Sequence, residues 1–211
     1  MSATGRPVAD GERRPRVEQD IYQTPVWCVD ALLSVMRRPK GPLTFVEPCK
    51  ADGHILNRVR AWKPDIAYKW AEIREGRDYL SAGGNYGGDL CVTNPPYALA
   101  KQFLSRSLRE CRTVAYLLRL NWLASQDRLL FWRAQPQPTH MLVLADRPSF
   151  IDVCKRRGCS ASYPPGETKT CRVCGGPVGP GTDATEYCWF VWDRAGLIKV
   201  PRWLYVLEKP R

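Results

Sequence analysis

The sequence lacks a long apolar run and a recognisable secretion signal. No stretch approaches the roughly 20 consecutive apolar residues that a helix needs to cross a membrane. The N-terminal stretch MSATGRPVADGERRPR contains no continuous apolar region of the kind that marks a signal peptide. From these two absences we expect a cytoplasmic protein.

Acidic residues are scarce relative to basic ones. The 211 residues include 21 Asp and Glu against 32 Lys and Arg, which gives a formal net charge of +11. An excess of this size favours a polyanionic partner, most simply nucleic acid, although a basic protein without such a partner would carry the same charge. Residues 1–20, which include Arg13 and Arg14, are expected to form a flexible basic arm.

The nine cysteines are an odd number without a secretion signal, so we do not expect a disulfide framework. Cys154 and Cys159 form one pair and Cys171 and Cys174 a second, with eleven residues between the pairs. Four thiolates suit a closed tetrahedral Zn²⁺ site, and we expect a structural zinc ion there. The alternative is a disordered loop with free thiols. The remaining cysteines lie in or beside apolar runs and are predicted to be buried thiols: Cys28, Cys49, Cys91, Cys111 and Cys188.

Strand-like and helix-like segments alternate as far as about residue 145. Apolar runs at 43–46, 89–93 and 113–120 predict strands, and residues 99–111 carry apolar side chains at helical spacing. This alternation is typical of an α/β doubly wound sheet. Two further strands are predicted near the C-terminus, and we expect them to include an antiparallel edge strand.

The domain is expected to span residues 21–211. Within it, residues 152–186 show neither helical nor strand periodicity and contain many Gly, Pro and Cys. We therefore interpret 152–186 as a cysteine-rich, zinc-binding insertion between two strands of the sheet.

Unusual polar residues follow the predicted strands. Glu47, Glu72 and Asn94 come at or just after the ends of three strands, and Asp78 follows in a turn. Ligands bind open parallel sheets beyond the carboxyl ends of the strands, so these side chains should face one crevice. Glu72 lies nineteen residues after Gly53, close to the spacing at which a carboxylate holds ribose hydroxyls in nucleotide-binding sheets.

Three motifs carry a family resemblance. The stretch FVEPCKADG at 45–53 resembles the S-adenosylmethionine loop of class I methyltransferases, and NPPY at 94–97 resembles the catalytic tetrapeptide of amino-methylating DNA methyltransferases. YQTP at 22–25 is similar to their N-terminal cofactor motif. The motif order resembles that of γ-type DNA N6-adenine methyltransferases, and residues 147–150 and 185–192 resemble the compact form found in phages and prophages. The resemblance covers roughly residues 21–150 and 184–207.

This resemblance implies a Rossmann-like class I methyltransferase, S-adenosylmethionine as methyl donor and adenine in double-stranded DNA as acceptor. The implied catalytic residues are Asn94, Pro95, Pro96 and Tyr97. The implied cofactor-binding residues are Tyr22, Thr24, Pro25, Glu47, Pro48, Cys49, Asp52, Gly53, Glu72, Asp78 and Asn94. The loop departs from the family at Ala51, where a glycine is usual, and we expect Ala51 to narrow the approach of the backbone to the cofactor.

The chemistry accounts for the stiff corner at NPPY. The lone pair of an exocyclic amine is delocalised into its ring, and two acceptors on the amino hydrogens localise it. Asn94 can supply its side-chain oxygen and Pro95 its carbonyl, held in advance by the two prolines. Tyr97 can stack on a flipped base.

Basic residues in the insertion are predicted to contact phosphates. These residues are Lys155, Arg156, Arg157, Lys169 and Arg172. Asn121 and Trp122, in the loop after Leu120, are predicted to line the base pocket, the alternative being a simple strand-to-helix turn.

Three other functions remain open from the sequence. The same fold could methylate N6 of adenine in RNA or N4 of cytosine in DNA. A catalytically inactive, zinc-containing nucleic-acid-binding protein is the alternative from a different class; the intact NPPY argues against it, whereas the altered cofactor loop argues for it.

Overall fold

The computed structural model describes residues 23–81, 83–163, 166–181, 185–201 and 203–210. These residues form a seven-stranded sheet with helices on its faces and a separate three-stranded sheet. Its elements, in chain order, are α1 Val26–Ser34, β1 Thr44–Glu47, α2 His54–Trp62, β2 Ala67–Trp70, β3 Gly88–Thr93, α3 Ala100–Glu110, β4 Cys111–Arg119, α4 Gln126–Ala134, β5 His140–Leu144, β6 Ile151–Cys154, β7 Ser162–Tyr163, β8 Val178–Gly181, β9 Tyr187–Asp193 and β10 Leu204–Leu207.

The main sheet has the strand order β10-β5-β9-β4-β3-β1-β2. From β1 the chain moves to β2 on one side, and then crosses to β3 on the other side of β1. This reversal creates a crevice beyond the carboxyl ends of β1 and β3. The predicted doubly wound α/β fold is confirmed.

The antiparallel strand is not at the edge of the sheet, contrary to the prediction. β9 runs antiparallel between β4 and β5 and pairs with both, whereas the edge strand β10 is parallel to β5. The composition of β9 explains its interior position, because residues 187–192 are all buried and four of the six are aromatic. Burial on both faces favours the centre of a sheet over its edge.

Two apolar layers cover the faces of the sheet. One is built around α1 and α2, where Leu32 and Val59 are fully buried. The other is built around α3, where Leu104 is fully buried against the strands. Helix α1 was not predicted, because its sequence VWCVDALLS is apolar on nearly every side and shows no polar face. Among the described residues no helix is long and apolar enough to cross a membrane.

The small sheet lies in the segment for which no strand period was predicted. Its strand order is β7-β6-β8, and it lies in the chain between β5 and β9. Its strands have only two to four residues, and β8 reads Val-Gly-Pro-Gly, so no alternation of side chains marks them in the sequence. Where it joins the main sheet, the Ser149 hydroxyl lies 2.8 Å from the carbonyls of Ile151 and Gly181, and Arg147 pairs with Glu186.

Candidate active site

A cavity of about 240 Å³ lies beyond the carboxyl ends of β1, β2 and β3. It brings together eight of the side chains to which the sequence assigned cofactor or catalytic roles. They are Thr24, Glu47, Pro48, Cys49, Glu72, Asp78, Asn94 and Pro96. Further residues that line it carried no such assignment, among them Gln23, Arg77, Tyr79, Leu80 and Phe103.

Glu47 is the most buried carboxylate of this cavity. It ends β1, is 1% exposed, and accepts a hydrogen bond from the main-chain N–H of Leu56 in the first turn of α2. Its Oε2 atom has no hydrogen-bond partner among the residues that the structure describes. Burial raises the pKa of Glu47 well above its usual range, and the nearby carboxylate of Glu72 raises it further. The cavity therefore contains an acid whose charged form is incompletely paired.

Glu72 fixes the loop that follows β1. Its Oε2 accepts from the main-chain N–H of Ala51 at 2.8 Å, and its Oε1 accepts from the main chain and from Nε of Arg74. The carboxylate thus joins the end of β2 to the turn at Ala51. Glu72 is 6% exposed, so this connection is shielded from solvent.

Several predicted cofactor residues do not line the cavity. Asp52 accepts from Gln23 and from Arg74, and its side chain is 62% exposed. Gly53 is the N-cap of α2, with φ +86°, and Pro25 is the N-cap of α1. Tyr22 lies outside the described residues, as does the predicted basic arm 1–20.

Ala51 has the left-handed backbone conformation that normally selects glycine. Its φ is +48°, and it lines the cavity together with the preceding residue, Lys50. A non-glycine residue in this region costs on the order of 1 kcal/mol. The departure at Ala51 therefore keeps the expected turn, at the expense of local strain.

Ala51→Gly should leave the free energy of unfolding unchanged or raise it by up to about 1 kcal/mol. Relief of the left-handed strain offsets the extra freedom of glycine in the unfolded chain. Ala61→Gly is the matched control, because Ala61 is an exposed position within α2 and should lose about 0.5–1 kcal/mol. Urea denaturation of both variants measures the difference, and equal losses would show that Ala51 carries no strain.

The corner after β3 holds an orphan acceptor. Asn94 follows Thr93 directly, and its Oδ1 atom is buried without a hydrogen-bond partner in the described parts of the chain. Pro95 is buried behind it, and Pro96 starts the short turn that leads into α3. A buried amide oxygen without a partner costs about 1–3 kcal/mol, so the arrangement suits an oxygen kept ready for a donor from a ligand.

An aromatic group lies beside this corner. The rings of Tyr97 and Tyr187 are 6.4 Å apart, and Phe150 lies 4.9 Å from Tyr187. The guanidinium of Arg119 lies 5.1 Å from the ring of Tyr97, and its Nε donates to the Tyr187 hydroxyl at 3.2 Å. Neither Arg119 nor Tyr187 was assigned a role from the sequence, because they meet only through the pairing of β4 with β9, which the sequence did not predict.

The four cysteines of the insertion converge. The sulfur atoms of Cys154, Cys159, Cys171 and Cys174 all lie within 4.8 Å of one another. Two of the separations are 3.4 and 3.7 Å, close to the ~3.8 Å edge of a tetrahedron with 2.3 Å Zn–S bonds. A Cβ at Gly176 would lie 2.8 Å from the Cβ of Arg156 and 3.3 Å from the sulfurs of Cys154 and Cys174, so a side chain there would force its neighbours to move. Four thiolates at these distances fit a closed structural zinc site.

The predicted phosphate contacts differ in their surroundings. Lys155 donates to the carbonyl of Pro180 in β8, Arg156 donates to the carbonyl of Cys174, and Arg172 pairs with Glu167. Arg157 and Lys169 are exposed and make no ion pair with described residues.

Asn121 and Trp122 are not brought to the cavity. Asn121 is exposed in the turn after β4, whereas Trp122 is 6% exposed and packs edge-on against Phe131, Trp132 and Phe190. The loop is thus closer to a strand-to-helix turn with a core tryptophan than to a wall of the cavity.

No protein-family model and no curated protein matches the sequence. The structure is similar to that of a Listeria monocytogenes protein described as a class I S-adenosylmethionine-dependent methyltransferase, with a TM-score of 0.54 and 9% identity over 92% of this chain and 67% of that one. It is similar also to the methyltransferase subunit of a type I restriction-modification system from Streptococcus thermophilus, with a TM-score of 0.54 and 10% identity over 89% of this chain. The chain covers 47% of that subunit, about half its length. At these identities the likeness establishes the fold, and the chain has the Rossmann-like fold of class I S-adenosylmethionine-dependent methyltransferases.

Proposed function

We propose that this protein transfers a methyl group from S-adenosylmethionine to the N6 amino group of adenine in DNA. The observation that carries the proposal is the buried Oδ1 of Asn94, which has no partner among the described residues and borders the same cavity as Glu47, Glu72 and Asp78. An amide acceptor beside a nucleotide-type cavity suits methyl transfer to an exocyclic amine.

The residues of the cavity fit the donor. S-adenosylmethionine would supply an activated methyl group and a positive charge. Glu47 has a buried oxygen in need of a cationic or hydrogen-bonding partner. Glu72 and Asp78 can accept from ribose hydroxyls and from an adenine amino group. Thr24 and Cys49 complete the wall near the turn after β1.

On the acceptor side, Asn94 and Pro95 would accept hydrogen bonds from the target amine and so localise its lone pair. The prolines fix these acceptors before the reaction, so little reorganisation is needed in the transition state. Tyr97 would stack on the base, and the guanidinium of Arg119 lies 5.1 Å from the centre of the Tyr97 ring. The proton of the methylated amine can leave to water.

DNA is the proposed polyanion. The net charge of +11 supports it, and so do the exposed Arg157 and Lys169 beside the cysteine cluster. A structural zinc ion held by the four cysteines would order the segment that carries Arg157 and Lys169. The small sheet leaves the main sheet at the carboxyl end of β5, which is the same edge as the cavity, and this supports a role in holding DNA.

Labelled methyl transfer tests the function. The purified chain is incubated with radiolabelled S-adenosylmethionine and duplex DNA of mixed sequence, and the nucleosides are then separated and identified by mass. We expect N6-methyladenine. A matched duplex with 2-aminopurine in place of adenine, which pairs with thymine but has no 6-amino group, should take no label. Label found in N4-methylcytosine would show that cytosine is the acceptor. If a parallel incubation with an RNA duplex takes label and the DNA duplex does not, the acceptor is RNA. Donor binding without any transfer would favour the inactive binding protein.

Donor binding should weaken as the pH falls. Because burial raises the pKa of Glu47, its carboxylate becomes protonated within a pH window that extends upward from its ordinary value of about 4.3. The protonated form cannot pair with a cation. Without donor, the raised pKa of Glu47 means that the folded state binds the proton more tightly than the unfolded state does. The free energy of unfolding therefore falls as the pH rises through this window.

Glu47→Gln should remove this pH dependence. We expect it to weaken binding of S-adenosylmethionine at neutral pH by about 10- to 100-fold, as for the loss of a charge-assisted interaction. Calorimetric titration across the pH range measures both effects. If the variant keeps the wild-type pH profile, Glu47 is not the titrating group.

A further inference from the structure

One arginine holds the wall of the cavity that contains Asp78. Arg106 lies on α3, and its Nη atoms donate to the carbonyls of Tyr79, Ser81 and Gly84, the second of these at 2.8 Å. Its Nε donates to Glu110 at 2.8 Å. A single guanidinium therefore ties down three peptide groups of the loop between β2 and β3.

Only arginine can make this set of bonds. Its side chain is 11% exposed, and its guanidinium lies 4.9 Å from the ring of Tyr79 and 5.3 Å from that of Tyr86. The planar group directs five N–H donors in fixed directions, whereas lysine has one compact ammonium on a flexible stem. Lysine would keep the charge and lose the geometry.

The same helix fixes the loop at two further points. Tyr79 is 1% exposed and its ring lies 5.2 Å from that of Phe103, with 27° between the ring planes. Its hydroxyl is 2.9 Å from Ser107 Oγ, which is 2.7 Å from the Tyr116 hydroxyl in β4. The residue beside Asp78 is thus held from the side by α3 and β4.

Helix α3 also begins at the Asn94 corner. The turn Tyr97–Leu99 runs directly into Ala100, the first residue of α3. One rigid helix therefore connects the corner proposed to hold the acceptor amine to the loop proposed to hold the donor nucleoside.

We propose that Arg106 is a positioning residue that makes the donor pocket selective for a 6-aminopurine. The inference rests on the proposed function. Asp78 Oδ1 accepts from the main-chain N–H of Leu80 at 2.8 Å, and Oδ2 accepts nothing from the described residues. A carboxylate fixed in this way accepts a hydrogen bond from the 6-amino group of a purine. It repels a 6-oxo group, because that oxygen is itself an acceptor. Its discrimination depends on a loop that cannot move away, and Arg106 supplies that restraint.

The test compares binding of two nucleosides that lack the sulfonium methyl group, so that it needs no methyl transfer. S-adenosylhomocysteine and its deaminated form, S-inosylhomocysteine, are titrated by calorimetry against the wild type, Arg106→Lys and Arg109→Lys. Arg109 is an exposed arginine of the same helix and serves as the control. The wild type and Arg109→Lys should prefer the adenosyl compound by about 10- to 100-fold, the effect of one charge-assisted hydrogen bond. Arg106→Lys should lower this ratio by about tenfold while retaining measurable binding.

An unchanged ratio in folded Arg106→Lys would overturn the positioning role. If Arg106→Lys does not fold, as judged by circular dichroism, Glu110→Gln is assessed by the same criterion, because it weakens only the carboxylate partner of Arg106. An unchanged ratio there would overturn the role as well. Failure of the wild type to bind either compound would instead contradict the proposed function.

Discussion

Replacing Asn94 by alanine should reduce methyl transfer by about 10²- to 10³-fold, while binding of S-adenosylmethionine changes far less. The amide oxygen is proposed to act on the target amine, so its loss removes one preorganised acceptor from the transition state. The magnitude follows from other enzymes that lose one such preorganised group. Single-turnover transfer to duplex DNA measures the rate, and calorimetry measures donor affinity.

Two matched variants sharpen this result. Asn94→Asp keeps an acceptor oxygen at the same position and should retain more activity than Asn94→Ala. Asn57→Ala removes an exposed amide from α2 and should leave transfer unchanged. Wild-type turnover in Asn94→Ala would contradict the assigned mechanism, whatever happens to donor binding.

The second large effect is expected at the cysteine cluster. Purified protein should contain one zinc ion per chain, and Cys171→Ser combined with Cys174→Ser should abolish metal binding. The small sheet buries few apolar side chains, so loss of the metal should disorder it. The main sheet, which has its own core, should remain folded and still bind S-adenosylmethionine.

DNA affinity is the readout for that double variant. It should fall, and the slope of log affinity against log salt should become shallower by about 0.9 for each phosphate that the variant no longer neutralises. Cys28→Ala is the control, because it removes a buried thiol of the main core and should cost stability without changing zinc content. Protein without zinc, or a double variant with the wild-type salt slope, would show that the segment does not hold DNA through a metal.

The main sheet could be predicted because its signals are local. The apolar runs of β3 and β4 fix two neighbouring strands, and the two prolines after Asn94 mark the end of the first. The strand pattern also put Glu72 just beyond the end of β2, where it lines the cavity, whereas Gly53 caps α2 and does not line it.

The remainder depends on contacts that no local pattern reveals. Arg106 is one of many helix arginines in sequence terms, and its partners lie more than twenty residues away in a loop without periodicity. Trp122 was predicted to face the base, but α4 and β9 supply the aromatic partners that bury it. Asp52 was predicted to bind the cofactor; its carboxylate accepts from Gln23 and Arg74 and does not line the cavity.

The central position of β9 sets the order in which the chain can fold. Until Tyr187–Asp193 inserts between them, β4 has one open edge and β5 has two, because β10, the other neighbour of β5, follows β9 in the chain, and open strand edges invite pairing with other chains. The ends of the intervening segment meet at Ser149 and Gly181. A small sheet that folds first shortens the loop that must close, and loop closure costs less entropy when the loop is shorter.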